Sequence, residues 1–130
     1  MPPERQPAPV KVGRRYKAYA GETGVSYRYF FDGQRRVTRP AGQGAGWDYI
    51  FVISPDQGAP FTLRIFVSAR ALAVWQQIHG RELTASEQYA AAKMRLFRAF
   101  DACERLVEER LTLVVDETNI AELLEPLDLV

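Results

Sequence analysis

The spacing of apolar residues predicts strands in the first half of the chain. Residues 25–31 alternate between apolar and more polar side chains, which is the period of a half-buried strand. The dipeptide Asp32-Gly33 follows and predicts a hairpin turn, because both central positions of such a turn favour positive φ. The polar run 34–38 is then the return strand, and we expect it at a sheet edge because it ends at Pro40.

Three more segments of this half have the character of strands. Residues 15–20 predict a short strand before the hairpin, and residues 47–53 predict a strand after a glycine-rich loop. The second of these has apolar residues on both faces, including Ile50 and Val52, so we expect both of its sides to be covered. Residues 61–67 are its natural antiparallel partner.

From Ser68 onward the period becomes helical. Ser68 is a suitable N-cap and Gly80 a suitable C-terminal residue for a helix of about ten residues. Thr84 and Glu87 have the spacing of a capping box, which opens the longest predicted element, a helix over residues 85–109. At 1.5 Å per residue such a helix would span about 37 Å.

These elements predict one α+β domain. A short apolar strand at residues 111–115 and a last helical turn or two ended by Pro126 complete the chain. Strands that precede helices favour an antiparallel sheet of four or five strands, starting as a β-meander, with one long and two shorter helices packed on one face. The length of 130 residues suits a single domain, which we place at residues 11–130. Residues 1–10 hold four prolines and predict a disordered tail.

Composition narrows the class of protein. Cys103 is the one cysteine, so no intramolecular disulfide can form, which fits a reducing compartment. The N-terminal residues contain no apolar run of the kind found in signal peptides, and no stretch reaches the roughly 20 apolar residues of a membrane span. We therefore expect a cytoplasmic protein, and the use of Ala and Arg indicates a bacterial source.

The charges are divided unevenly along the chain. Residues 1–46 contain nine Lys or Arg and three Asp or Glu, a net charge of +6. Residues 47–130 contain eight and thirteen, a net charge of −5. Two interpretations stay open, namely an anionic partner for the basic half and attraction between the two halves, within one chain or between chains.

Residues with catalytic chemistry are isolated in the sequence. His79 is the only histidine and ends a predicted helix, where its charge would interact favourably with the helix terminus. Cys103 falls on the apolar face of the predicted long helix and is interpreted as a small buried hydrophobe. Asp101 and Arg105 form an i,i+4 pair typical of a solvated helix face. We therefore predict no catalytic residue, no metal site, no cofactor and no enzymatic activity.

Two binding hypotheses follow. The first is a non-catalytic protein-interaction domain that self-associates, as a homodimer, or joins a larger assembly with a protein partner. The predicted long helix is too long for so small a domain, and Met94 lies off its apolar stripe, which makes Met94 the candidate oligomer interface.

The alternative is single-stranded nucleic-acid binding by the basic, Tyr-rich N-terminal hairpin. Such sites combine a positive groove with aromatic side chains on which bases stack. The candidate contacts are Arg14, Arg15, Lys17, Tyr19, Arg28, Arg35, Arg36 and Arg39.

Overall fold

The computed structural model describes residues 16–40, 42–110 and 113–127. Its strands are β1 (Lys17–Ala20), β2 (Ser26–Arg39), β3 (Gly44–Pro55), β4 (Phe61–Ser68) and β5 (Leu113–Val115). Its α-helices are α1 (Ala69–His79), α2 (Ala85–Ala102) and α3 (Ile120–Leu124), and two 3₁₀ turns occupy Leu106–Glu109 and Glu125–Leu127. The predicted tail at residues 1–10 lies outside the described residues.

The described strands form one five-stranded sheet in the order β1-β2-β3-β4-β5. The first four strands are antiparallel neighbours, as the predicted meander requires, but β5 runs parallel to β4. The sheet is therefore mixed, and the prediction of a purely antiparallel sheet was wrong. The reason lies in the connection, because the chain passes through α1 and α2 between β4 and β5 and a long crossover permits parallel pairing.

β2 is a single strand of 14 residues where the sequence predicted a hairpin. Its register with β3 shifts between Phe31 and Gly33, so Asp32-Gly33 forms a β-bulge. Gly33 has φ 128°, a value that glycine supplies in a bulge as readily as in a turn. The turn between β2 and β3 lies further on, where the amide of Gln43 donates to the carbonyl of Pro40.

The sheet carries its main core on one side, which we call the inner face. Its residues are Tyr27, Tyr29, Tyr49, Phe51, Ile53, Leu63, Ile65, Val67, Leu113 and Val115. The buried side chains of α1, α2 and α3 belong to the same core, so the helices cover this face. The expectation of helices on one face is confirmed in this respect. The fold is α+β.

The helix caps agree with the prediction. The hydroxyl of Ser68 accepts from the amide of Ala71 at 2.9 Å, and Gly80 ends α1 with φ 77°. Thr84 and Glu87 form both hydrogen bonds of the capping box at the start of α2.

α2 is shorter than predicted. It ends at Ala102, after 18 residues, and Cys103 takes an extended backbone conformation with φ −107° and ψ 116°. A helix that continued to residue 109 would have left three residues for the return to the edge of β4. By ending early, the chain brings Leu106 into the core, where it is 2% exposed.

Candidate nucleic-acid interface

The side of the sheet opposite the helices is the outer face. In a strand, successive side chains point to opposite sides, and residues paired across two strands share a side. The register therefore places on this face Arg28, Phe30, Arg35, Val37 and Arg39 of β2, Asp48, Ile50 and Val52 of β3, Thr62, Arg64 and Phe66 of β4, and Val114 of β5. The apolar members other than Phe66 are half-buried.

The bulge in β2 brings the arginines of this face together. Before the bulge, the even-numbered Arg28 points outward, opposite Ser54. The extra residue in the bulge shifts the alternation by one, so the odd-numbered Arg35 and Arg39 point outward after it. An unbroken alternation would have placed Arg28 and Arg35 on opposite faces.

The outer face is basic. Arg64 of β4 joins Arg28, Arg35 and Arg39 there, and Asp48 is the one carboxylate among the outer-face residues defined above. The partners of Arg28 and Arg39 on β3 are ten positions apart, which is about 33 Å at 3.3 Å per residue. The arginines therefore form a row along the sheet with a formal charge of +3 after Asp48 is counted.

At one end of the row, Arg39 is held in place by its neighbours. One of its guanidinium nitrogens donates to the Asp48 carboxylate at 2.8 Å, and the guanidinium lies 4.9 Å above the ring of Phe66. Phe66 is buried although it lies outside the main core. Gly46 leaves room for this ring, because a Cβ at position 46 would lie 2.7 Å from two of its carbons.

At the other end of the row, aromatic side chains are accessible. Tyr16 is 50% exposed, and its ring meets that of Phe30 edge to face with centroids 5.0 Å apart. The guanidinium of Arg28 lies 5.9 Å from the Tyr16 ring centre. Open sheet faces with aromatic side chains are surfaces on which unpaired bases stack in RNA-binding domains.

Three of the predicted contact residues lie on the inner side instead. Tyr19 stacks on Phe97 at 4.6 Å, and its hydroxyl donates to Asp101 at 2.8 Å. Burial, followed by this hydrogen bond to Asp101, raises the pKa of Tyr19 to about 12. Because its ring and its hydroxyl are both engaged, Tyr19 does not share the surface of the arginine row.

Lys17 and Arg36 are the other two. Lys17 is paired with Tyr29 and lies beside Lys93 of α2. The pKa of Lys93 is lowered by burial and, secondarily, by the charge of Lys17. Arg36 is paired with Trp47 and its guanidinium lies 5.6 Å from the Trp47 ring centre. Arg14 and Arg15 lie outside the described residues.

The contacts predicted from the sequence did not include two members of this surface. Arg64 alternates with Leu63 and Ile65, and the predicted pairing of 47–53 with 61–67 already contained the signal that it faces away from the core. Tyr16 precedes β1 and follows the same alternation as Ala18. Without knowledge of the bulge, the sequence could not show that Arg64 and Tyr16 lie on the same face as Arg35.

The residues weighed for catalysis lie apart from the outer face. His79 stacks on Trp75 at 4.0 Å, and its Nδ1 lies 3.0 Å from the Trp75 carbonyl oxygen. Cys103 is half-buried at the C-terminus of α2 rather than inside a helix, and burial raises the pKa of its thiol. Within the described ranges, no three His, Cys, Asp or Glu side chains come together as metal ligands.

The candidate oligomer interface, Met94, lies on α2. It is half-buried, packs against the core and borders a groove with Phe97 and Leu123. Because α2 has 18 residues, the length of the helix no longer supports an overhanging apolar face.

Comparison with known proteins gives no relative, since no family model, curated protein or solved structure matches the chain. Among the described helices, none combines the length and the apolar character needed to cross a membrane.

Proposed function

We propose that the protein is a non-catalytic binding domain whose outer face binds single-stranded nucleic acid. The observation that carries the proposal is the row of outward-pointing arginines on a sheet face that the described helices leave uncovered. Phosphates would lie along the row formed by Arg28, Arg35, Arg64 and Arg39. A row of about 33 Å is long enough for several nucleotides, and comparable single-strand sites cover 4–16 nucleotides.

The aromatic side chains at one end of the row favour single-stranded over double-stranded nucleic acid. A base that is not paired in a duplex can stack on the ring of Tyr16. Arg28 would then contact the adjoining phosphate, because it lies next to the Tyr16 ring. At the opposite end, the ion pair with Asp48 orients the Arg39 guanidinium before a phosphate arrives, which lowers the entropy lost on binding.

The experiment is fluorescence anisotropy of a labelled oligonucleotide of about 15 nucleotides titrated with the full chain. If four arginines neutralise phosphates, the logarithm of the association constant should fall with the logarithm of salt concentration with a slope of about −2.8, at about −0.7 for each contact. A duplex of the same sequence should bind more weakly, because its bases cannot stack on Tyr16. Absence of binding at low salt would overturn the proposal.

Arg35 and Arg36 provide a matched pair of variants. Both are exposed and adjacent in sequence, but they point to opposite faces of the sheet. Arg35→Glu should weaken binding about tenfold or more and reduce the salt slope by about 0.7. Arg36→Glu makes the same change of charge on the other face and should have a much smaller effect. Equal losses of affinity would mean that binding depends on the total positive charge of the chain and not on the outer face.

Self-association is the second candidate, and one observation favours it. Glu104, Glu108, Glu117 and Glu122 are exposed and lie outside the basic outer face, so one copy could present acidic side chains to the arginine row of another. Three of them already form ion pairs within the chain, since Glu108, Glu117 and Glu122 lie beside Arg105, Arg70 and Arg98. Sedimentation equilibrium at micromolar concentration tests this, and association should weaken in high salt. A mass of 14.7 kDa at every concentration would leave nucleic acid or another acidic partner as the ligand.

A further inference from the structure

An apolar cavity lies at the end of the sheet where the β1–β2 turn, the β3–β4 loop and the 3₁₀ turn after α2 meet. Its volume is about 650 Å³, within the range of small-molecule sites. Apolar side chains form most of its wall, namely Val25, Tyr27, Pro55, Phe61, Leu106 and Val107. This region takes no part in the arginine row, so the cavity is a separate feature of the domain.

Tyr27 is the one tyrosine among the residues of this wall. The residue is 3% exposed, and its ring stacks on Phe100 with centroids 4.3 Å apart. Within the described part of the chain, no hydrogen bond reaches the Tyr27 hydroxyl, whereas the Tyr19 hydroxyl donates to Asp101. Burial and, secondarily, the neighbouring Cys103 thiol raise the pKa of Tyr27, so this hydroxyl stays protonated and able to donate.

A buried hydroxyl without a partner is costly, and two other tyrosines of the inner face share this property. Tyr29 and Tyr49 are 3% and 1% exposed and also lack a hydrogen-bond partner among the described residues. Neither contributes to the wall of the cavity. Of the three, Tyr27 is therefore the one that belongs to the wall of this cavity, and a ligand held there could accept its hydrogen bond.

We propose that this cavity binds an uncharged, mainly apolar small molecule whose carbonyl or other acceptor oxygen receives a hydrogen bond from the Tyr27 hydroxyl. The charged residues of the cavity argue against an anionic ligand. Asp56 and Glu104 bring two carboxylates, and the Arg105 guanidinium is already 2.9 Å from Glu108. An acidic group on the ligand would be repelled there, whereas a neutral ring or short chain meets apolar walls.

The test uses two matched ligands, 2-acetylnaphthalene and 2-ethylnaphthalene, which differ in the acceptor oxygen. Each is titrated into the isotope-labelled full chain and followed by amide chemical shifts in NMR. The ketone should shift the amides of the cavity wall, including Val25, Phe61 and Val107, and should bind more tightly than the hydrocarbon. Shifts elsewhere, or no binding of either compound, would overturn the proposal.

Tyr27→Phe isolates the hydrogen bond. It should weaken the ketone about three- to tenfold and leave the hydrocarbon unchanged, since one hydrogen bond is lost and the ring is kept. Tyr29→Phe is the control, because it removes a buried unpaired hydroxyl away from the cavity, and it should change neither affinity. Equal weakening of both ligands by Tyr27→Phe would contradict the predicted contact.

Val107→Trp tests the cavity independently of Tyr27. Val107 is 39% exposed, so a larger side chain can be accommodated without disturbing the core. It should fill part of the cavity and weaken both ligands at least fivefold, and unchanged binding of both would place the ligand elsewhere. Oligonucleotide binding should be unaffected by either variant, so the outcome is independent of the proposed function.

Discussion

The two faces of the sheet are built from the same strands and differ in what covers them. On β3, Phe51 and Ile53 face the helices and are fully buried, while Ile50 and Val52, which alternate with them, face outward and keep part of their surface exposed. The residue types on the two sides of this strand are similar. An apolar residue in a strand therefore indicates that its side is partly shielded, but it does not reveal whether a helix or a ligand completes the shielding.

The tyrosines of β2 and three of its four arginines lie on opposite faces of the sheet. The tyrosines of β2 point inward and pack with Phe97 and Phe100 of α2, while Arg28, Arg35 and Arg39 point outward. The run that looked like an interleaved basic and aromatic motif is thus two motifs on opposite sides. One belongs to the core, and the other lies on the face that we propose as the binding surface.

The largest expected difference between the faces is in stability. Phe100→Ala removes a fully buried ring that stacks on Tyr27, and it should lower the free energy of unfolding by about 3–5 kcal/mol. Phe30→Ala removes a half-buried ring from the outer face and should cost about 1 kcal/mol, because less apolar area is lost. Urea denaturation measures both. Similar losses would show that the outer face is a second core.

A smaller effect on stability is expected at Gly46, where the outer face is tightly packed. Gly46→Ala should cost about 1–3 kcal/mol, because its Cβ would lie 2.4 Å from the Val67 carbonyl oxygen and 2.7 Å from the Phe66 ring. The double variant with Phe66→Leu removes the ring carbons but not the carbonyl. A positive coupling in this cycle would identify the ring as the main obstacle, and an unchanged stability of Gly46→Ala would contradict the packing altogether.

Local signals in the sequence predicted the starts of α1 and α2 and most of the strands. Ser68 and Thr84 cap helices as expected because a cap depends on residues three positions apart, which the sequence shows directly. The prediction of positive φ at Asp32-Gly33 is correct for Gly33, but the residues form a bulge and not the predicted turn. A glycine at positive φ serves a turn or a bulge, and the choice depends on whether the next segment finds a longer partner strand.

Features that depend on contacts between distant parts of the chain could not be predicted from the sequence. In the sequence, the helical spacing of apolar residues continues through Cys103 and Leu106, but α2 ends at Ala102. The helix ends there because the chain must return to pair with β4, which local sequence does not show. The candidate site depended on the same kind of information. The sequence shows the positive charge of the N-terminal half, but the division of that charge between the two faces depends on one extra residue in β2. Asp101 was predicted to pair with Arg105, and in the structure it accepts a hydrogen bond from Tyr19.

The smallest effect concerns polar atoms within the inner face. Tyr19→Phe should lower the free energy of unfolding by about 1 kcal/mol at neutral pH, because it breaks the 2.8 Å hydrogen bond to the Asp101 carboxylate. Tyr29→Phe removes a hydroxyl that no described residue pairs, so its cost should be near zero or its effect slightly stabilising. Urea denaturation at neutral pH separates the two variants, and equal costs would contradict the contrast.

The difference in stability between the wild type and Tyr19→Phe should also decrease as the pH becomes alkaline. The pKa of Tyr19 rises from 10.0 to about 12 on folding, so the unfolded chain loses its proton first and the folded state keeps it. The stability that the Tyr19 hydroxyl contributes is therefore complete below pH 10 and is lost as the pH rises towards 12. Wild-type protein and Tyr19→Phe should consequently converge in stability over this range.

Burial raises the pKa of Tyr29 to about 12 as well, so the wild type should lose stability relative to Tyr29→Phe over the same window. Denaturation series of the three proteins across this range give the measurement. A gap between wild type and Tyr19→Phe that stays constant would show that Asp101 does not hold the Tyr19 proton.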